Sequence, residues 1–567
     1  MVKLRSSEKT DSNDIKHTIF SSFSAYTNGK SLLNVRRGPD SIPCLDGLRF
    51  LSICWIIYAH THYLAIVGAQ LDLSEVSKMH ESWSYLLLLN SNIVTDTFFL
   101  LSGILLVYTV IGRKVQNSGD RRLSILNLYV HRYLRLTPAY AIVIGFYATL
   151  FYKLGSGPHW DTWIGANRNS CRDNWWTNLL YVNNYVNVGN MCLSQSWYLS
   201  VDMQLSWLSP IFLYPMLGTG ERNQVAFLVV LSIGLLASVL APLLVTYFNS
   251  LTGTMLYHKD QADVTKVYLQ IYTRVYARAG PYLVGLGLGY FFRKFNPSTA
   301  KMPVSFVIGG WTIAVVAGLA VVFGPRRMYL VDHGHDNVEA AFYAGLHRPV
   351  FAVAVGWIVV ASVFGCAGPV GAFLSWSGWL PLSKLTYSAY LTHYIILLYN
   401  AGIVRTRGSL TTFGVIESFF GNLAMTLILS TILSLTFEMP FARLDRLLTS
   451  RGHRMSFAAT SFTPTASTSG ASESTQEIYR SIDDVTSTVS QTYNDLMDRY
   501  AEVVIGSQDQ PGLSSVGINS PEPATSSLVG LDGPYRPSDQ GESGLKAIEA
   551  TGARNFEVAN PLDRYGI

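Results

Sequence analysis

The stretch CLDGLRFLSICWIIYAHTHY, residues 44–63, constrains the chain more than any other. It is apolar enough for a membrane helix, yet it opens with Asp46 and Arg49 and carries His60 deep inside. At about 1.5 Å and 100° per residue, the steps from Arg49 to His60 cover about 16 Å and close on nearly whole turns. Arg49 and His60 therefore share one helix face, one near a membrane surface and the other near mid-bilayer, while His62 points roughly the opposite way. An ionisable group at that depth is costly, which marks it as functional.

The rest of the chain is of the same kind. Of its 567 residues, 49% are hydrophobic and only 14% charged, where an ordinary soluble chain carries about a quarter charged. Repeated apolar runs of about 18 residues or more predict an all-α, polytopic integral membrane helix bundle in contact with the lipid bilayer. Ten membrane helices are expected near 46–68, 85–111, 134–154, 197–217, 224–248, 279–293, 303–324, 348–366, 385–404 and 412–437. They make up a transmembrane domain over 44–447, between an N-terminal arm at 1–43 and a Ser/Thr/Gly/Pro-rich tail at 448–567. Such a tail buries too little apolar surface to fold alone and is expected to be mostly disordered, with some amphipathic spacing at 478–504.

Basic clusters set the orientation. Arg113, Lys114, Arg121 and Arg122 follow the second helix, Arg293, Lys294 and Lys301 the sixth, and Arg443, Arg446, Arg451 and Arg454 the tenth. All three fall on one side of an even count, so both termini are expected in the cytoplasm, in plasma membrane or endoplasmic reticulum. The first residues lack an apolar signal core, so the first helix is expected to direct insertion. A net charge of +5 over this length, with no nucleic-acid motif, gives no case for nucleic acid. There is no CxxC, HExxH, P-loop or GxSxG, which leaves metal, NTPase and serine-hydrolase chemistry without support. Cys171 and Cys192 lie in a long loop at 155–196 placed on the oxidising side, where a disulfide persists. Two free thiols are the alternative.

Polar groups inside apolar helices carry the chemistry, because each needs a partner or water there. The candidates are Asp96 and Ser102 in the second helix, Arg132, Arg135 and Tyr140 at the cytoplasmic start of the third, and Asp202 a turn or so into the fourth. Arg278 meets a glycine-rich sixth helix, His393 lies in the ninth and Glu438 ends the tenth. Each has a plainer reading. Arg132 and Arg135 serve equally as positive-inside anchors, the carboxylates as ion-pair partners for Arg49 or Arg278, and a buried histidine as a satisfied hydrogen-bonding residue. Together they imply a polar cavity, for which enzyme and transporter remain open.

In order, LDGLRFLSICWIIYAH, DTFFLLSGILLVY, YLRLTPAY, SWYLSVDMQ, RAGPYLVGLGLGY and LTYSAYLTH resemble motifs of the acyltransferase-3 superfamily of membrane proteins. FSAYTNGKSLL, LLYVNN and FEMPFARLD are similar to its animal branch, the nose-resistant-to-fluoxetine-like proteins, over about residues 20–447. The resemblance implies transfer of an acyl group, often acetyl, from acyl-CoA as co-substrate to a hydroxyl-bearing acceptor or lipid at or across the membrane. No bound cofactor is implied. Arg49 and His60 match the superfamily's Arg-x10-His motif, His60 as general base or acyl relay and Arg49 as a donor-binding cation. HRYLRLTPAY matches a cytoplasmic basic motif, with His131 where a basic residue is usual, and Asp202 stands where bacterial relatives commonly have Glu. The resemblance also supports the alternative of a transporter for lipids or small molecules on the same scaffold. The branch usually carries an extracellular cysteine-rich domain and an extra helix before this region. Neither is present here, so a shorter paralogue or an incomplete gene product is expected.

Overall fold

The computed structural model describes residues 21–446, except 39–40, 68–78, 80–81, 117–124, 217–219, 257–260, 296–301, 331 and 407–410. The tail at 448–567 and its amphipathic segment lie outside the described residues. No strand occurs among them. The described residues are mainly helical, and ten of the helices, of 20–28 residues, overlap the ten segments read from the sequence.

A nine-residue helix α1 (Ala25–Leu33) precedes them. The long helices are α2 (Cys44–Val67), α3 (Val94–Gln116) and α4 (Ile125–Thr149). After an additional helix α5 (Ala166–Leu179) come α6 (Trp197–Met216), α7 (Glu221–Phe248) and α8 (Val275–Lys294). The last four are α9 (Val304–Phe323), α10 (Asn337–Val363), α11 (Trp379–Ile403) and α12 (Thr412–Leu433). Five segments, one each in the regions of α3, α7, α9, α10 and α12, are long and apolar enough to cross a membrane by length and composition. The chain is thus an integral membrane protein. In α7 and α9 only 17% of the most apolar window is buried, so Leu228, Ile233 and Leu236 of α7 and Phe306, Ile308 and Ile313 of α9 turn outward. Water would not tolerate two such faces, and acyl chains would.

Three helices start earlier than expected. α4 begins at Ile125 rather than near 134, α10 at Asn337 rather than near 348, and α11 at Trp379 rather than near 385. In α4 and α10 the arginines at or just before the expected starts, Arg132 and Arg348, have carboxylate partners inside the bundle. α10 is also capped, Asp336 accepting from the backbone N–H groups of Val338 at 2.8 Å and Glu339 at 3.3 Å.

The 155–196 segment departs furthest from a surface loop. It contains α5, whose sequence ANRNSCRDNWWTNL has no apolar stripe. A helix polar all round needs tertiary partners. Asn178 Nδ2 donates to the Tyr140 hydroxyl at 2.6 Å and to the Cys192 carbonyl at 2.7 Å. Asn184 donates to the Thr273 carbonyl at 3.1 Å, and Gln204 to the Tyr181 carbonyl at 2.7 Å. Cys171 and Cys192 are joined by a disulfide that ties α5 to the approach to α6, both sulfurs being fully buried. This segment is therefore a polar plug, buried where its amides meet the helices, while Trp175, Trp176 and Tyr185 stay exposed.

α2 packs against α3, α11 and α12, while α3 packs most closely against α8. Glycines allow that approach: a Cβ on Gly103 would lie 2.3 Å from the Tyr282 carbonyl oxygen, and one on Gly285 2.2 Å from the Leu100 carbonyl oxygen. Backbone cannot step aside as a side chain can. Gly285→Ala is expected to destabilise the protein by about 1–3 kcal/mol, read as a lower midpoint in thermal unfolding of the detergent-solubilised protein. An unchanged midpoint would show that the α3–α8 seam is looser than described.

Candidate active site

Arg49, Ile56 and His60 recur on one face of α2 at helical spacing, and that face borders two cavities. Arg49 lines one of about 470 Å³, and His60 lines one of about 120 Å³. The two share Ile56, Thr95, Tyr198 and Tyr390, so these four side chains form the partition between them. His62, assigned by helical phase to the other side, faces the Tyr85 ring at 5.9 Å. It still borders the His60 cavity, and sequence reasoning did not single it out.

His60 meets His393 of α11. Nδ1 of His60 lies 3.0 Å from Nε2 of His393, with the rings near parallel at 7° and their centroids 5.2 Å apart. Nδ1 of His393 lies 2.8 Å from the Tyr390 carbonyl oxygen and 3.2 Å from that of Ala389. The Tyr394 ring closes edge-on over His60, at 5.6 Å. Among the described residues the lining of this cavity contains no Asp, Glu, Lys or Arg; tyrosines, Asn92, Gln195, Ser91, Thr95, Ser194 and the two α2 histidines supply polar groups.

The Arg49 cavity is charged. Asp46, Arg49, Arg135, Asp202, Lys384, Glu438 and Arg446 all border it. An adjoining cavity of about 360 Å³ shares Arg49, Arg135, Asp202 and Glu438 and adds Ser102 and Arg132. Most of these groups have partners. Asp46 accepts from Arg37 Nε at 3.0 Å. Asp202 pairs with Arg132 and accepts from Ser102 Oγ at 2.9 Å, and Glu438 accepts from Ser388 Oγ at 2.6 Å. The Lys384 ammonium donates to the carbonyls of Ser31, Leu32 and Asn34 at 2.9, 3.2 and 2.8 Å, which uses all three of its protons. Arg49 and Arg135 differ. Among the described residues neither has a carboxylate within ion-pair distance, so these guanidinium groups face the cavity, as does that of Arg446, whose Nε donates to the Ala442 carbonyl of its own turn.

Residues 42–438 match the family described as an acyltransferase domain. The chain belongs to this acyltransferase family. Over 457 residues it is 31% identical to "Nose resistant to fluoxetine protein 6" of Caenorhabditis elegans, covering 75% of this chain and 54% of that one. It is 23% identical over 409 residues to "Regulator of hypoxia-inducible factor 1" of the same organism, covering 68% and 76%. It is 25% identical over 377 residues to "O-acetyltransferase OatA" of Staphylococcus aureus, covering 64% and 51%. The chain thus spans about half the length of the first and third of these relatives. No solved structure matches it.

Three of the expected site residues of this acyltransferase-family chain lie away from both partners of the α2 face. Asp96 and Arg278 are fully buried and paired, Arg278 Nη1 sitting 3.1 Å from each carboxylate oxygen. Arg348, which sequence reasoning passed over, approaches the same carboxylate at 3.8 Å. Arg278 is further held between the rings of Trp197 and Tyr272, at 4.7 and 4.6 Å. Tyr140, expected at the cytoplasmic surface, is fully buried and accepts from Asn178. The reason is the polar plug: α5 packs on α4, and its Asn178 donates to the hydroxyl. Arg132 and Asp202, expected near opposite surfaces, meet inside the bundle. Intramembrane charge alone would have flagged Arg348, set in the otherwise apolar run RPVFAVAVGWIVV.

Proposed function

We propose that this protein is an integral membrane acyltransferase that moves an acyl group from an acyl-CoA-type donor in the Arg49 cavity to a hydroxyl-bearing acceptor in the His60 cavity. The observation that carries this reading is one helix face, Arg49–Ile56–His60, bordering two cavities of opposite character across a partition of four side chains. The charged cavity suits an anionic donor. Arg49 and Arg135 offer planar forks that match phosphate oxygens, and no carboxylate among the described residues lies within ion-pair distance of them. The uncharged, tyrosine-lined cavity suits an acceptor hydroxyl beside a base.

In the transfer His60 takes the hydroxyl proton as the oxygen attacks the thioester carbonyl. The C–S bond breaks, and the proton passes from His60 to the departing thiolate, so the products are an ester and a free thiol. His60 ends as it began. The same reading has the ten long helices spanning the bilayer, both termini and the Arg49 cavity cytoplasmic, and the plug with its disulfide on the oxidising side. That places the donor cavity where acyl-CoA is found.

Arg49→Gln tests the donor half. Loss of a charge-assisted phosphate contact of about 1.5–3 kcal/mol is expected to raise the KM for acetyl-CoA by about 10- to 100-fold, with a smaller change in kcat, measured by free-thiol release from purified protein. An unchanged KM would remove Arg49 from donor binding.

A further inference from the structure

We propose that His393 is a positioning residue that fixes the tautomer of His60 and makes Nε2 of His60 the proton-accepting atom of the site. The argument runs along a chain of hydrogen bonds from the backbone inward. A carbonyl oxygen only accepts, so the Nδ1 of His393, 2.8 Å from the Tyr390 oxygen and 3.2 Å from the Ala389 oxygen, carries the proton. In a neutral imidazole the other nitrogen is then an acceptor. That nitrogen, Nε2 of His393, lies 3.0 Å from Nδ1 of His60. Nδ1 of His60 must therefore donate, and the lone pair of His60 resides on Nε2. Both carbonyls belong to α11 itself, at three and four residues before His393, so one regular helix turn holds the orientation.

The place filled by a carboxylate in a Ser-His-Asp triad is here filled by a second imidazole. Such a partner orients the base and steadies the imidazolium that forms. Among the described residues no carboxylate borders the His60 cavity to do so. His393 accepts the Nδ1–H of His60 without adding a formal charge to an uncharged cavity, and the developing positive charge is spread toward two carbonyl dipoles. The chain also ends there. A proton handed to Nε2 of His393 would have to leave through Nδ1, which points at carbonyl oxygens that cannot hold one. The proton that His60 takes from an acceptor hydroxyl must leave by His60 itself, to the thiolate released in the same turnover. The pair is built for a base that returns its proton, and not for conduction across the membrane. That consequence rests on the acyl-transfer reading; the tautomer does not.

The two are tested separately. Full-length protein labelled with ¹⁵N-histidine and reconstituted in phosphatidylcholine vesicles is measured by solid-state NMR near neutral pH, with His60 signals assigned by their loss in His60→Asn. The expected result is a pyridine-type Nε2 and a pyrrole-type Nδ1 at His60; the reverse overturns the proposal. In the same vesicles thiol release from acetyl-CoA is followed. His393→Phe, which leaves Nδ1 of His60 without an acceptor, is expected to lower kcat on the order of 100-fold at unchanged KM for acetyl-CoA. That is a smaller loss than the about 10⁴-fold seen when a triad carboxylate is replaced. His393→Gln, whose amide oxygen can accept from His60 Nδ1, is expected to recover most of the loss. Equal kcat in wild type and His393→Phe overturns the positioning role, as does a Gln variant no better than Phe. Wild-type protein that releases no thiol contradicts acyl transfer, and the NMR still decides the tautomer.

Discussion

His60→Ala lowers acyl transfer by about 10²- to 10⁴-fold, the range supplied by a positioned general base, and leaves the amount of protein in the membrane unchanged. The reasoning is local. His60 packs beside His393 and Tyr394 and borders a cavity, so shortening it enlarges a space already present and opens no hole in a close-packed core. Its one side-chain hydrogen bond goes to Nε2 of His393, which then faces the same cavity. The chemical loss is different in kind, because no carboxylate among the described residues borders this cavity to take over as base. Thiol release and membrane-fraction abundance, measured on the same preparations, separate the two effects. Full transfer in the variant would sink the assignment of His60, and loss of protein from the membrane would make its role structural.

The largest effect on stability is expected at Asp96. Its carboxylate is fully buried, accepts two bonds from Arg278 and lies near Arg348. Two guanidinium groups thus converge on one carboxylate where no water screens them. Removing one partner of a buried pair leaves an uncompensated charge and costs about 3–5 kcal/mol; here two cations lose the same anion. Asp96→Ala should therefore unfold at a markedly lower temperature and accumulate poorly in membranes. Asp46→Ala, whose carboxylate and single Arg37 partner are less deeply buried, should lose less. Thermal unfolding of both in one detergent gives the comparison, and equal midpoints would contradict it.

Positions of helices were legible because apolar runs of membrane length are hard to mistake. The face shared by Arg49 and His60 was legible for a similar reason: both lie on one helix, where spacing is geometry. Residues whose meaning depends on another helix were not. Nothing in HRYLRLTPAY or SWYLSVDMQ says that Arg132 and Asp202 touch: Arg132 looked equally like a surface anchor, and Asp202 like a partner for Arg49 or Arg278. His393 was a candidate on its own, but only the packing of α11 on α2 makes it the partner of His60. α5 escaped because its sequence lacks periodic apolar positions, its shape being set by buried amides and a disulfide. The docking of α1 was equally hidden, since the carbonyls it offers to Lys384 leave no trace in side-chain pattern.

The central claim is that the two cavities serve a transfer and not a passage. Purified protein in phosphatidylcholine vesicles, with acetyl-CoA labelled in the acetyl group added to the Arg49 side, tests it in one measurement. The account predicts label covalently attached to a hydroxyl-bearing product in step with release of free thiol, both lost in His60→Ala. Label or donor entering the vesicles with no covalent product and no thiol would contradict it and leave a transporter on an acyltransferase scaffold.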